Sequence, residues 1–299
     1  MPERHAPWQG RTLGTLGLLI LAACALSACA VLLRPQAERE GEPGEGSGQS
    51  GPPLVRLAVC WAALPLAEDL AAAYVAVDPG LSVDIVPSNS RVVAGLVTAG
   101  QADLAIVDQE PGVTPLPEAD EDSHRSSGMR VLALDTTAVI VHKDLPLTQL
   151  AATDLAALYA GHRLDWEELQ AGKGRIEVVS QEEGSEVRRL FEGAILGGSP
   201  ASSAAVVVPH DRGALDYVAQ HPDAIAYVST AYVDERVKVV AIDGVLPTRA
   251  EVERGRYPLA HPLVLLTAAH APAEALRLAA FALSNKGQQA ISRRYVLSR

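Results

Sequence analysis

In the stretch V-V-S-Q-E-E-G-S-E-V-R-R-L-F-E-G, from Val178 to Gly193, a buried strand runs through a turn into an amphipathic helix. The Gly184-Ser185 pair at the turn offers backbone N–H groups, a hydroxyl and a helix dipole, which together can hold an anion, and Arg188 adds a guanidinium one turn later. Glu182, Glu183 and Glu186 crowd the same place with negative charge. Two readings follow. Either Ser185 and Arg188 hold an oxyanion, or Ser185 caps a helix whose apolar stripe is Val187, Leu190, Phe191, Ala194 and Ile195, with Glu186 answering the dipole.

Other reactive residue types are less organised. Ser185 lacks a G-x-S-x-G turn, and no His or Asp is set beside it by motif, so acyl transfer has no support. His162, Asp165 and Glu168 match no metal-ligand spacing and read as a solvated helix-loop segment. His124, His142, His210 and His221 are scattered and read as surface residues. The residues thus call for no catalytic group, no metal and no cofactor. A net charge of −11 excludes a nucleic-acid partner by the usual electrostatic route, because no basic face is concentrated anywhere in the chain. A small anion held by neutral donors is not excluded.

The N-terminus points to export. Arg4 and Arg11 precede an uncharged run from Thr12 to Leu33, a basic region followed by an apolar one. Within it, Leu26-Ser27-Ala28-Cys29 resembles the lipobox of bacterial lipoproteins, in which the cysteine is lipidated. Leu21-Ala22-Ala23-Cys24 fits less typically, and an uncleaved anchor is the third option, since the run is about long enough to span a bilayer. Residues 1–29 are expected to be a lipoprotein signal and Cys29 the lipidated residue, holding the rest outside the cytoplasm on the membrane. Residues 30–53 are Pro-, Gly- and Glu-rich over most of their length and read as a flexible tether, with no Gly-Lys-Ser/Thr to make a phosphate loop. Past them only Cys60 remains, expected to be buried among Leu57, Ala58 and Val59.

The elements that must position these residues alternate along 54–299. Strands are expected at Val55–Val59, Ser82–Val86 and Asp103–Val107, with helices at Leu64–Val77 and Ser90–Ala99 between them. Residues Gln109–Met129 read as a loop. Two strands, Val131–Leu134 and Ala138–His142, are followed by helical segments around Ala152–Ala160 and Asp165–Gln170. Then come strands at Ile176–Val179, Ala205–Val208, Ala224–Val228, Val237–Ile242 and Leu263–Thr267. Helices are expected at Ala214–Gln220, Pro272–Ser284 and Lys286–Arg293. The pattern is an α/β one with mixed, mostly parallel sheets covered by helices.

Several pieces, in order, resemble the phosphate-binding protein family of bacterial ABC transporters. They include L-P-L-A-E-D-L-A-A-A-Y (64–74), L-V-T-A-G-Q-A-D-L-A-I (96–106), V-L-A-L-D-T-T-A-V-I-V-H-K-D (131–144) and L-A-A-L-Y-A-G-H-R-L-D-W-E-E-L (155–169). The series continues through the opening stretch, A-I-A-Y-V-S-T-A-Y-V (224–233), Y-P-L-A-H-P-L (257–263) and L-S-N-K-G-Q-Q-A-I (283–291). The resemblance implies a two-lobed type II periplasmic-binding fold, with one lobe at about 54–135 and 230–299 and the other at about 136–229. It implies a monomeric receptor that captures a small ligand, phosphate or another oxyanion, and hands it to a permease without chemistry.

The resemblance also implies where the ligand sits. The family's first helix start carries Gly-Ser-Ser-Thr, whereas this chain has Val59-Cys60-Trp61-Ala62, so hydroxyls are lost and Trp61 offers a ring to stack on an organic ligand or to pack between lobes. The second turn is Ser88-Asn89-Ser90-Arg91, still rich in donors. Asp108-Gln109 replaces a Ser-Arg type pair, and Asp108 could accept a hydrogen bond from a protonated ligand group. The third turn keeps Gly184, Ser185 and Arg188 while losing a Gly and a Thr to Glu186 and Val187. A different organic ligand, and a ligand-less partner-binding surface, are the alternatives that these departures leave open.

Overall fold

A computed structural model describes residues 53–109 and 128–298. The expected lipidation site at Cys29, the signal, almost all of the tether and most of the Gln109–Met129 loop lie outside these residues. Among them no helix is long and apolar enough to cross a membrane.

The elements in chain order are β1 (Leu54–Cys60), α1 (Leu64–Val75), β2 (Ser82–Ser88), α2 (Ser90–Thr98), β3 (Leu104–Asp108), β4 (Met129–His142), β5 (Gln149–Leu150), α3 (Ala152–Tyr159) and β6 (Glu177–Gln181). They continue with α4 (Glu186–Ile195), β7 (Val206–Val208), α5 (Asp211–Gln220), β8 (Ala224–Ser229), β9 (Val237–Ile242), α6 (Arg249–Glu253), β10 (Ala260–Thr267), α7 (Ala273–Leu283) and α8 (Asn285–Ile291). Local chemistry explains the boundaries. Pro65 sits in the first turn of α1, where its missing N–H costs nothing. Asn89 caps α2 by accepting from the Val92 amide at 3.0 Å, and Gly100, in the left-handed region at φ +69°, lies just past the end of α2.

The strands hydrogen-bond in the order β2-β1-β3-β10-β4-β8-β6-β7, with β9 also on β4 and β5 on β9. The pairs β1–β2, β1–β3, β5–β9, β6–β7 and β6–β8 are parallel, whereas β10 is antiparallel to β3 and β4, and β4 is antiparallel to β8 and β9. The sheet is therefore mixed, with antiparallel pairs at its centre and parallel pairs toward its outer edges. Buried runs such as Ala105–Ile106 and Ala138–Val141 carry no polar alternation because helices cover both faces.

One expectation is corrected by the central strand. The sequence reads as two strands broken at Asp135-Thr136-Thr137, but β4 is a single strand across that point. Its first half pairs with β10 and its second half with β8 and β9. The polar residues do not break it because each is buried and several of their groups find partners, Asp135 Oδ2 and Thr137 Oγ1 excepted: Asp135 Oδ1 accepts from Ser229 Oγ at 2.7 Å, the Thr137 carbonyl accepts from Tyr257 Oη at 2.8 Å, and the Thr137 amide donates to the Leu259 carbonyl at 2.8 Å. Similarly, β10 begins three residues earlier than the pattern predicts, taking in His261 and Pro262. The segment expected to be helical near Asp165 is a short 3₁₀ turn, Trp166–Leu169, anchored by fully buried Trp166, whose Nε1 donates to the Asp223 carbonyl at 3.1 Å.

Candidate functional site

Three helix starts and one strand end bring the candidate residues together. Cys60, Trp61, Ala62, Asn89, Ser90, Asp108, Ser185, Glu186 and Val187 surround a void of about 10 Å³, closed from the other side by Gln181 and Asp211. That is room for about one water molecule, so in this geometry the void is too small for a phosphate-sized ligand. Next to it lies an open groove of about 520 Å³, lined from β2–α2 by Asn89, Arg91 and Val92 and from the α4 segment by Glu183, Gly184, Ser185, Glu186, Arg188, Arg189, Glu192 and Pro200, so that its three arginines are matched by three glutamates. The first turns of α2 and α4 thus face each other. At Gly184 they approach so closely that a Cβ would lie 3.0 Å from Asn89 Nδ2, tight enough to favour glycine there.

Ser185 caps α4. Its Oγ accepts from the Arg188 amide at 3.2 Å and donates to Gln181 Oε1 at 2.7 Å, so the hydroxyl is committed to capping α4 and to satisfying a buried amide. Arg188 is neutralised, though not by Glu186. Its Nε donates to Glu192 at 2.8 Å and its Nη1 to the Gln181 carbonyl at 3.0 Å, while Glu186 pairs with Arg189. Burial raises the Glu186 pKa, an effect that Asp108 reinforces and Arg91 opposes.

The second turn behaves in a comparable way, with one exception. Ser88 ends β2 beside Cys60, Asn89 caps α2, and Ser90 Oγ accepts from the Asp108 amide at 3.3 Å. Arg91 is exposed and lines the groove. Trp61 is half-buried and its ring packs on His210, with centroids 4.3 Å apart, while its carbonyl accepts from Tyr232 Oη at 2.6 Å. His210 is therefore not the plain surface residue expected; it also caps α5 by accepting from the Gly213 amide. Cys60 is buried as expected; burial pushes its thiol pKa well up, and the negative charge of Asp108 adds to the rise. His162, Asp165 and Glu168 are exposed and form no cluster.

A group that sequence reasoning missed lies behind Asp108. His261 Nε2 is 3.0 Å from Asp108 Oδ1 and 3.5 Å from Asp135 Oδ2, and all three residues are buried. Burial raises the Asp135 pKa to about 7, against the pull of His261. Burial also disfavours charged His261, pulling its pKa down, but the carboxylates around it, Asp108 first, outweigh burial and the net shift is upward. The signal was hidden because Asp108 and His261 are 153 residues apart and meet only through the antiparallel register of β10.

Residues 43–286 match the PBP superfamily domain. The chain belongs to the PBP superfamily. Among curated proteins, this PBP domain chain is 25% identical over 172 residues to the phosphate-binding protein PstS of Bacillus subtilis, covering 57% of this chain and 53% of that one. It is 31% identical over 132 residues to the phosphate-binding protein PstS 2 of Streptococcus pneumoniae serotype 4, covering 41% and 45% respectively. The chain thus spans about half the length of the curated relatives it matches. A substrate-binding protein of Clostridium perfringens, solved with bound phosphate, superposes with a TM-score of 0.74 at 22% identity, over 82% of this chain and 99% of that one. At that identity the likeness speaks to the fold, which is the type II periplasmic-binding one.

Proposed function

We propose that this protein is an extracytoplasmic solute-binding receptor, tethered to the bacterial cell membrane through Cys29, that captures phosphate or a related oxyanion and presents it to an ABC transporter permease without catalysis. The observation that carries the reading is the groove between two opposed helix starts, with Arg91 and Asn89 on one side and Gly184, Ser185 and the first turn of α4 on the other. Helix N-termini and a guanidinium are anion-binding elements, and closing two lobes around a ligand would bring them together. The sequence similarity to proteins named as phosphate-binding supports the same reading. Because Ser185 and Arg188 are engaged internally, the guanidinium expected to meet the anion is that of Arg91.

A second reading rests on Trp61 and Asp108: an aromatic ring and a buried acid at the crevice suit an organic ligand with a protonated group rather than a dianion. Melting of the full chain in detergent against phosphate, sulfate, amino acids and sugars separates the two. Phosphate at 100 times its dissociation constant adds about 2.7 kcal/mol of stability on the first reading. A response to an amino acid or sugar, with none to either oxyanion, refutes the first reading and selects the second.

A further inference from the structure

Three adjacent strands place an imidazole and two carboxylates around one point. Asp108 ends β3 opposite Leu263 of β10, and His261 of β10 stands opposite Asp135 of β4. One ligand-competent atom from each of the three residues lies within 4.8 Å of the others. The backbone positions are fixed by strand register, so the convergence does not depend on a loop.

Hydrogen bonding alone leaves this arrangement incomplete. A single ring N–H on Nε2 can serve Asp108 Oδ1 at 3.0 Å, and Asp135 Oδ2, 3.5 Å from the same nitrogen, then has no hydrogen-bond partner although its residue is fully buried. A buried carboxylate oxygen aimed at a nitrogen already in use is costly. A cation between the three atoms would satisfy all of them. Metal–ligand bonds of about 2.0–2.2 Å put tetrahedral ligand atoms roughly 3.4 Å apart and octahedral ones roughly 3.0 Å apart. The two distances from Nε2 fit that range. One imidazole with two carboxylates is a donor set for ions such as Zn²⁺ or Mn²⁺ rather than for Mg²⁺ or Ca²⁺, which favour all-oxygen shells.

We propose that Asp108, Asp135 and His261 form a binding site for one divalent transition-metal ion, of the Zn²⁺ or Mn²⁺ type, at the floor of the crevice. The ion neutralises the two carboxylates and so gives the floor the charge balance that an anionic solute in the neighbouring groove requires. Asp108 also borders the small void shared with Cys60, Ser185 and Asp211.

The test titrates ZnCl₂, MnCl₂ and MgCl₂ into the full chain, stripped of metal and held in detergent without phosphate, so that its outcome is independent of the oxyanion reading. The expected result is one Zn²⁺ or Mn²⁺ per chain with a raised melting temperature and no response to Mg²⁺. Asp108→Asn and His261→Gln should each weaken binding by at least about tenfold. If either variant fails to fold, X-ray absorption at the zinc edge of the wild-type protein decides: a shell of one imidazole and carboxylate oxygens supports the site. No one-to-one binding, equal affinity in a folded variant, or a shell without imidazole overturns it.

Discussion

Replacing Ser185 with Ala separates a hydroxyl that serves the fold from one that serves a ligand. The substitution removes the acceptor for the Arg188 amide and the donor to Gln181 Oε1. Loss of a serine cap costs about 1 kcal/mol. Gln181 is buried, and its Nε2 remains bonded to the Tyr227 carbonyl, so only Oε1 is stranded, at a cost of about 1–3 kcal/mol. The expected loss of unfolding free energy is about 2–4 kcal/mol, read from denaturant midpoints at unchanged slope. Ser185→Thr, which keeps a hydroxyl at that position, should recover most of it. Because the hydroxyl is already committed, phosphate affinity in the folded Ala variant should stay within about twofold, well under the 1.4 kcal/mol that a tenfold change represents. A variant of wild-type stability that loses phosphate binding by more than tenfold would refute the reasoning.

Three further outcomes follow from buried groups. Burial raises the Asp211 pKa, so the folded state holds that proton more tightly than the unfolded chain, and stability contributed at low pH is lost as pH rises from the ordinary carboxylate range toward the raised value. Asp211→Asn, which keeps an acceptor for the Ser229 amide, should flatten that part of the stability–pH curve measured by chemical unfolding; an unchanged slope contradicts the assignment. In Gly287→Ala the new Cβ would land on the Phe281 carbonyl oxygen and within 2.8 Å of Ala282 Cα at the α7–α8 junction, and melting should show a loss of about 3 kcal/mol, the upper end of overpacking costs. The Cys60 thiol, buried and with its pKa pushed up, should react with a thiol reagent only on denaturation, whereas rapid modification of the native chain at that residue would show the crevice floor to be open.

Most of the strand and helix order was legible because apolar runs and caps are local signals. The expected strand Val237–Ile242 coincides with β9, and the expected helix Ser90–Ala99 runs one residue past the end of α2. Asp135-Thr136-Thr137 misled the reading because polarity along a strand signals a break only when water, not Ser229 or Tyr257, satisfies it. The site was legible in part. Gly184, Ser185 and Asn89 announced two helix starts, but which oxygen each hydroxyl serves depends on Gln181 and on tertiary placement that no spacing reveals. Arg188 illustrates the limit: its partner, Glu192, lies one helical turn ahead on the same face, and nothing local says that the pair is preferred over a ligand. The His261 cluster was invisible for the opposite reason, since its members are neighbours only across β3, β10 and β4.

Calorimetric titration of phosphate into the full chain and into its Arg91→Ala variant tests the receptor reading most directly. The account predicts one phosphate per wild-type chain and a loss of about 1.5–3 kcal/mol, roughly tenfold or more, when the Arg91 guanidinium at the groove is removed. Absence of saturable phosphate binding, or equal affinity in the two proteins, would contradict it.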